Sequence, residues 1–187
     1  MTRSLVGAAT FALALAALPA GRASAAPVTW AANQHQYEAV LVSNGLGWID
    51  AEVAAEARGC GWHLATIGSA DENKFVFSLV KGKAAFFILG LGPWLGGYQK
   101  DSIHENGGDW AWVTGEDFSG YTNWAKGEPS NRTAGHQDVE PGVPPGQYES
   151  FLSHKLNGQW NDHHPEALFH GYVAESDAAT QKACQSP

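Results

Sequence analysis

Two polar stretches decide how this chain reads: Trp124-Ala125-Lys126-Gly127-Glu128-Pro129-Ser130-Asn131, and then Trp160-Asn161-Asp162. Each sets carboxylate and amide or hydroxyl oxygens on turn-forming backbone directly beside a tryptophan. Calcium takes about 6–8 hard oxygen ligands of this kind, and an aromatic face next to hydrogen-bonding groups suits a sugar ring. The pattern favours a binding protein over an enzyme. No Gly-x-Ser-x-Gly, His-Glu-x-x-His or phosphate-cradling glycine motif occurs.

Upstream of these stretches the texture is helical. Asp50 can cap a helix running through Ala51-Glu52-Val53-Ala54-Ala55-Glu56-Ala57-Arg58 to Gly59. Ser69-Ala70-Asp71-Glu72 is a capping box, and the segment after it carries Phe75, Val76, Leu79 and Val80 on one face before Gly82. Beyond residue 83 come short apolar runs between glycines, expected as strands: Ala84 to Leu89, Trp94 to Tyr98, Trp110 to Val113, Phe151 to Ser153 and Gly171 to Ala174. The Asn131 to Tyr148 stretch, with Pro141, Pro144 and Pro145, reads as a long functional loop.

At the N-terminus, Arg3 precedes an apolar run from Leu5 to Leu18, and Ala23-Ser24-Ala25 has the small residues of a signal-peptidase site. Residues 1–25 are therefore expected to be a signal peptide, and 26–187 a single exported domain. The run is shorter than the about 20 apolar residues of a spanning helix, which argues against a membrane span. Losing Arg3 and Arg22 would move the formal charge from −8 to about −10, which disfavours nucleic acid and anionic membranes as partners. The two cysteines, Cys60 and Cys184, are free to pair in an oxidising compartment or to remain thiols.

In order, these landmarks resemble the C-type lectin-like domain over nearly all of the mature chain. Tyr37-Glu38 is similar to its opening strand, and Gly61-Trp62-His63-Leu64-Ala65-Thr66-Ile67 to its link into the second helix. Trp94-Leu95-Gly96-Gly97 resembles its core strand. Trp110-Ala111-Trp112-Val113-Thr114-Gly115 with Phe118, Tyr121, Asn123 and Trp124 resembles its entry to the long loop, and Gly171-Tyr172-Val173-Ala174-Glu175 its closing strand. The resemblance implies an α+β fold in which the terminal strands pair, two helices flank short antiparallel strands, and a long loop carries the ligand site.

Calcium-dependent members take ligands from Glu-Pro-Asn, a second glutamate and Trp-Asn-Asp. By position the implied calcium and carbohydrate ligands are Glu128, Ser130, Glu149, Asn161 and Asp162, with a cis peptide at Pro129. Ser130 departs from the family's asparagine, Asn131 is a neighbouring alternative, and Asp138 and Glu140 rival Glu149. The Glu-Pro order implies a mannose, glucose, fucose or N-acetylglucosamine type of glycan as partner. A lectin-like scaffold that binds a protein ligand without calcium or sugar is the alternative. The alanine-rich leader and the absence of the family's usual staples near Phe151 and Ala174 imply a bacterial source.

Most tryptophans are expected in the core, with Trp160, or Tyr148 in the loop, left as the sugar-stacking aromatic. His154, His163, His164 and His170 raise a minor zinc reading, although their spacing matches no zinc motif.

Overall fold

The structure, a computed structural model, describes residues 22–100, 109–132, 148–177 and Cys184. Among the described residues, nine strands and two helices make an α+β fold: β1 (Arg22–Ser24), β2 (Val28–Thr29), β3 (Gln36–Leu46), α1 (Trp48–Glu56), β4 (Trp62–Leu64), α2 (Ala70–Ser78), β5 (Leu91–Gln99), β6 (Trp110–Trp112), β7 (Phe151–Lys155), β8 (Trp160–His163) and β9 (Phe169–Ser176). The terminal strands β3 and β9 pair antiparallel, from Gln36 opposite Ser176 to Leu41 opposite Gly171. The sheet runs β1-β3-β9-β5-β7-β8, with β2 on β3, β4 on β9 and β6 on β5. Arg22–Ser24, at the end of the expected leader, pairs with Val40–Val42 of β3.

Both faces of the central strands are buried, because side chains alternate across a strand. On one face, Trp94, Tyr172 and Ala174 pack with Trp48, Ala51, Ala54 and Ala55 of α1. On the other, Leu95 and Val173 pack with Val76 and Val80 at the α2 end and with Trp112, Leu152 and Trp160. Two indoles satisfy their buried N–H groups across the first of these layers. Trp48 Nε1 donates to the Leu95 carbonyl at 2.7 Å, and Trp94 Nε1 to the Leu46 carbonyl at 2.9 Å.

Ser69 caps α2 as expected, its hydroxyl accepting from the Glu72 N–H at 3.1 Å. Glu72 does not close the box on Ser69; its carboxylate accepts from the Gly68 N–H and from Tyr37. The first helix begins earlier than expected. Gly47 stands at its N-cap with no side-chain bond, and Asp50 lies in the first turn, where it still favours the positive end of the helix.

The strand expected at Ala84 to Leu89 is not formed. Ala84–Phe86 is a single 3₁₀ turn, closed by Phe86 N–H to Lys83 O and Phe87 N–H to Ala84 O, which drops Phe86 into the core. Leu89 and Gly90, both at positive φ, then make a tight turn between the reciprocal bonds of Ile88 and Leu91. Cys60 and Cys184 form a disulfide.

One buried polar residue of α2 ties the helix to the hairpin of β7 and β8. Asn73 Oδ1 accepts from Trp160 Nε1 at 2.8 Å and lies 3.1 Å from His154 Nε2, while its amide donates to the Gly158 carbonyl at 3.0 Å. Burial pushes His154 down to about 3, so its ring is neutral. Replacing Asn73 with alanine strands these buried groups, each worth about 1–3 kcal/mol when unsatisfied. Thermal denaturation of Asn73→Ala is expected to show a loss on the order of 3 kcal/mol, and a melting temperature within a degree of the parent would contradict this role for Asn73.

Candidate metal and ligand site

The two stretches that opened the sequence are joined by backbone. A parallel bridge pairs Trp124 with Trp160: the Ala125 N–H donates to the Trp160 carbonyl at 2.9 Å, and the Trp160 N–H to the Asn123 carbonyl at 2.8 Å. Gly127, at φ 88°, and a cis Glu128–Pro129 peptide then turn the chain back over β8. The cis bond lies where the family resemblance implied it.

Three of the five expected ligands form one bonded group. The Asp162 carboxylate, fully buried, accepts from the Ser130 N–H at 3.0 Å and the Asn131 N–H at 2.6 Å. Glu149, also buried, accepts from the Ser130 hydroxyl at 2.7 Å and the Arg132 N–H at 3.0 Å through the same oxygen. The Glu149 N–H in turn donates to the Arg132 carbonyl. Glu128 is half-buried, and its Oε2 is shielded from water with no hydrogen-bond partner among the described residues. Asn131 enters the group through its main chain, at φ 47°.

Asn161 is brought to the site by β8 but bonds elsewhere. Its Oδ1 accepts from Lys155 Nζ at 3.0 Å, and its amide donates to the Asp162 carbonyl at 2.7 Å. The sequence reading missed Lys155, whose place follows from the pairing of β7 with β8. His164, read from the sequence only as part of a histidine cluster, stands with its Nε2 3.9 Å from Glu149. The rivals Asp138 and Glu140 lie outside the described residues.

Charge explains what this group lacks. Burial and the Glu149 carboxylate push the Asp162 carboxyl up to about 7; Glu128 adds to the rise, and the N–H groups of Asn131 and Ser130 oppose it. A raised acid beside two others, with one shielded oxygen unbonded, marks a place short of positive charge. The donors are the hard oxygens a divalent cation of the calcium kind takes. Among the described residues, however, no group of three or more His, Cys, Asp or Glu side chains stands set around a metal position. The oxygens of Asp162 and Glu149 are instead held by the N–H groups of residues 130–132.

The aromatic expectation needs correction. Trp160 is fully buried, donating to Asn73 and meeting Trp112, Tyr121 and Trp124 edge-on, so it offers no face to a sugar. Trp110 and Trp124, assigned to the core from the sequence, are only half-buried at its margin. Three of the four histidines have separate partners: His154 bonds Asn73, His163 lies 2.8 Å from Ser153 Oγ, and His164 faces Glu149.

No family model matches the chain. It is 42% identical to the C-type lectin lectoxin-Lio1 of Erythrolamprus poecilogyrus over 84 residues, 45% of this chain and 46% of that protein. The chain thus spans about half the length of that relative. It is 28% identical over 140 residues to a perlucin-like protein of Mytilus galloprovincialis, covering 73% of this chain and 76% of that one. Among solved structures it is similar to the cow C-type carbohydrate-recognition domain of CD23, solved in the presence of a GlcNAc2Man3 oligosaccharide. That similarity has a TM-score of 0.56 at 23% identity and covers 77% of this chain and 88% of that one. These relatives are animal proteins, so the bacterial source read from the leader finds no support among them.

The raised Asp162 has a testable sign. Its folded carboxyl holds a proton up to about pH 7, whereas its ordinary value is 3.8, so the folded state binds more protons between those limits. Its contribution to stability without metal therefore falls as pH rises from about 4 to 7 and is flat above. In excess chelator, Asp162→Asn is expected to gain stability relative to the parent across that window, measured by denaturant unfolding at each pH. A difference that does not change with pH would show that Asp162 titrates normally.

Proposed function

We propose that this chain, which has the α+β fold of C-type lectin carbohydrate-recognition domains, is an exported calcium-dependent carbohydrate-binding protein. The observation that carries the reading is geometric: the buried Asp162 and Glu149 carboxylates meet at Ser130, and the half-buried Glu128 in the same turn keeps a shielded oxygen with no partner among the described residues. Calcium bound there would supply the missing charge and take two adjacent sugar hydroxyls into its coordination. Glu128, Glu149 and Asp162 would hold the ion, with Ser130 and Asn161 completing the set. The same carboxylates would accept hydrogen bonds from the sugar hydroxyls, so ion and sugar share ligands and no bond in the sugar is made or broken.

For Asn161 to ligate, its Oδ1 must leave Lys155, and the N–H groups of residues 130–132 must release the acid oxygens. Ser130 brings a hydroxyl where the family has an amide, which removes an NH₂ that would donate to a sugar oxygen. The Glu128-Pro129 order keeps the mannose, glucose, fucose or N-acetylglucosamine class as the favoured partner. Export is supported by the leader pattern of residues 1–25 and by the Cys60–Cys184 bridge, a bond at home in oxidising compartments. No helix among the described residues is long and apolar enough to cross a membrane.

One observation favours a second reading, a lectin-like scaffold that binds a protein without calcium. Lys155 already places an ammonium on Asn161, and the loop amides already occupy Asp162 and Glu149. The two readings separate on calcium. Calcium at about a hundredfold over its dissociation constant should add about 2.7 kcal/mol and raise the melting temperature by several degrees. Asp162→Ala should abolish that shift together with the calcium-dependent part of retention on a mannose-type glycan array. Glycan binding that persists unchanged in excess chelator would sink the calcium reading, and a calcium-silent melt with no glycan retained would favour the protein-binding scaffold.

A further inference from the structure

A cavity of about 730 Å³ opens along β6 and the segment that follows it, walled by Trp110, Trp112, Phe118 and Trp124. Its volume falls in the about 300–1,000 Å³ range of small-ligand clefts. The carboxylates described above do not line it. Its wall is a set of aromatic faces at the margin of the core: Trp110 meets Trp124 with ring centroids 4.8 Å apart at 62°, and lies nearly parallel to Phe118 at 5.8 Å and 27°. The Trp110 indole N–H is shielded from water and has no acceptor among the described residues.

The rim is polar, and its acceptors are set. Asp117 Oδ1 accepts from the Ser119 N–H at 2.9 Å and the Ser119 hydroxyl at 2.8 Å, bonds that hold its carboxyl below the usual value and so keep it ionised. Glu116 Oε2 accepts from the hydroxyls of Thr114 at 3.0 Å and Thr66 at 2.9 Å. Asp109 adds a third carboxylate against one ammonium, that of Lys100. This balance repels phosphate and other anions, while the ring of carboxylates and hydroxyls is wrong for a purely apolar ligand. Half-buried indoles beside ionised acceptors match a ring with an apolar C–H face and hydroxyl donors at its edge.

We propose that this cleft is a second saccharide-binding site, which takes a neutral sugar ring against Trp110 and Trp124 without a metal. The ligand class rests on the carbohydrate reading above; the cleft itself does not. None of the expected calcium ligands lines it, and the two places approach each other at Trp124, which lies in the same stretch as Glu128.

The test is an array of neutral mannose-, glucose- and N-acetylglucosamine-based oligosaccharides, read with calcium and again in excess EDTA. The parent chain, Asp162→Ala, Trp110→Ala and Ser119→Arg are compared. Ser119 is exposed, so arginine there fills the mouth of the cleft without disturbing the core. The parent and Asp162→Ala should both keep weak binding in EDTA. Ser119→Arg and Trp110→Ala should cut it at least tenfold, and Ser119→Arg should keep the parent's calcium-induced rise in melting temperature. Loss of all binding in EDTA overturns the cleft and leaves the calcium reading standing; EDTA-resistant binding that survives Ser119→Arg overturns the cleft. Binding that EDTA never alters, but that Ser119→Arg removes, keeps the cleft and overturns the calcium reading.

Discussion

The backbone bridge between Trp124 and Trp160 is the constraint on which the site depends. It crosses two segments far apart in sequence and fixes where Glu128, Ser130 and Asn131 fall relative to Asp162. The bridge is held from beneath by a buried indole that has no freedom of its own. Trp160 is packed edge-on against three aromatic rings, and its N–H is committed to Asn73 of α2. Removing such a ring from a core costs about 3–5 kcal/mol, a large share of the stability of any single domain. The polar site is thus anchored by an apolar element, and α2, which carries no expected ligand, governs its geometry through one amide.

The same geometry sets a competition at the acids. Buried carboxylates must be paired, hydrogen-bonded or protonated, and here the loop solves the problem with its own N–H groups. Hydrogen bonds to charged groups are worth about 1.5–3 kcal/mol each, so the arrangement at Asp162 and Glu149 is a folded solution in its own right. A cation entering would take oxygens that now order residues 130–132. Ion affinity and loop order are therefore linked: whatever the loop gains from its bonds to the acids is subtracted from the affinity for the ion. The Ser130 hydroxyl adds to the loop's side of this balance, because it donates to Glu149.

What the sequence revealed, and what it hid, divides by range. Ser69 before α2 and the tight glycines around β9 are local signals, and the α+β order of elements was legible from them. The pairing of β3 with β9 followed from the resemblance, since no local rule selects which strands meet across 130-odd residues. The 3₁₀ turn at Ala84–Phe86 was misread because a short apolar run has no period that separates strand from turn; the core's demand for Phe86 decided it. At the site, the sequence named Ser130, Glu149 and Asp162, which the fold brings together, but not how their side chains are oriented. Asn161 and Lys155 could be placed near one another only once β7 was registered on β8. That register set an ammonium against the amide expected to bind the ion.

The tryptophans show the same division with a functional consequence. Motif position pointed to Trp160 as the ring for a sugar, and the structure buries it; Trp110 and Trp124, expected in the core, pack against it half-buried. Trp160 sits in β8, whose residues are all buried between β7 and the loop, so its proximity to the ligands in sequence is the reason it is hidden. Trp110 lies in the three-residue strand β6, which among the described residues pairs with β5 alone and leaves the indole half-buried at the sheet's edge. Exposure of an aromatic face therefore follows from strand order rather than from closeness to the carboxylates. An edge strand rich in indoles, flanked by acids already fixed by hydroxyls, is what topology supplies to the cleft proposed above, and sugar binding there would call for no metal.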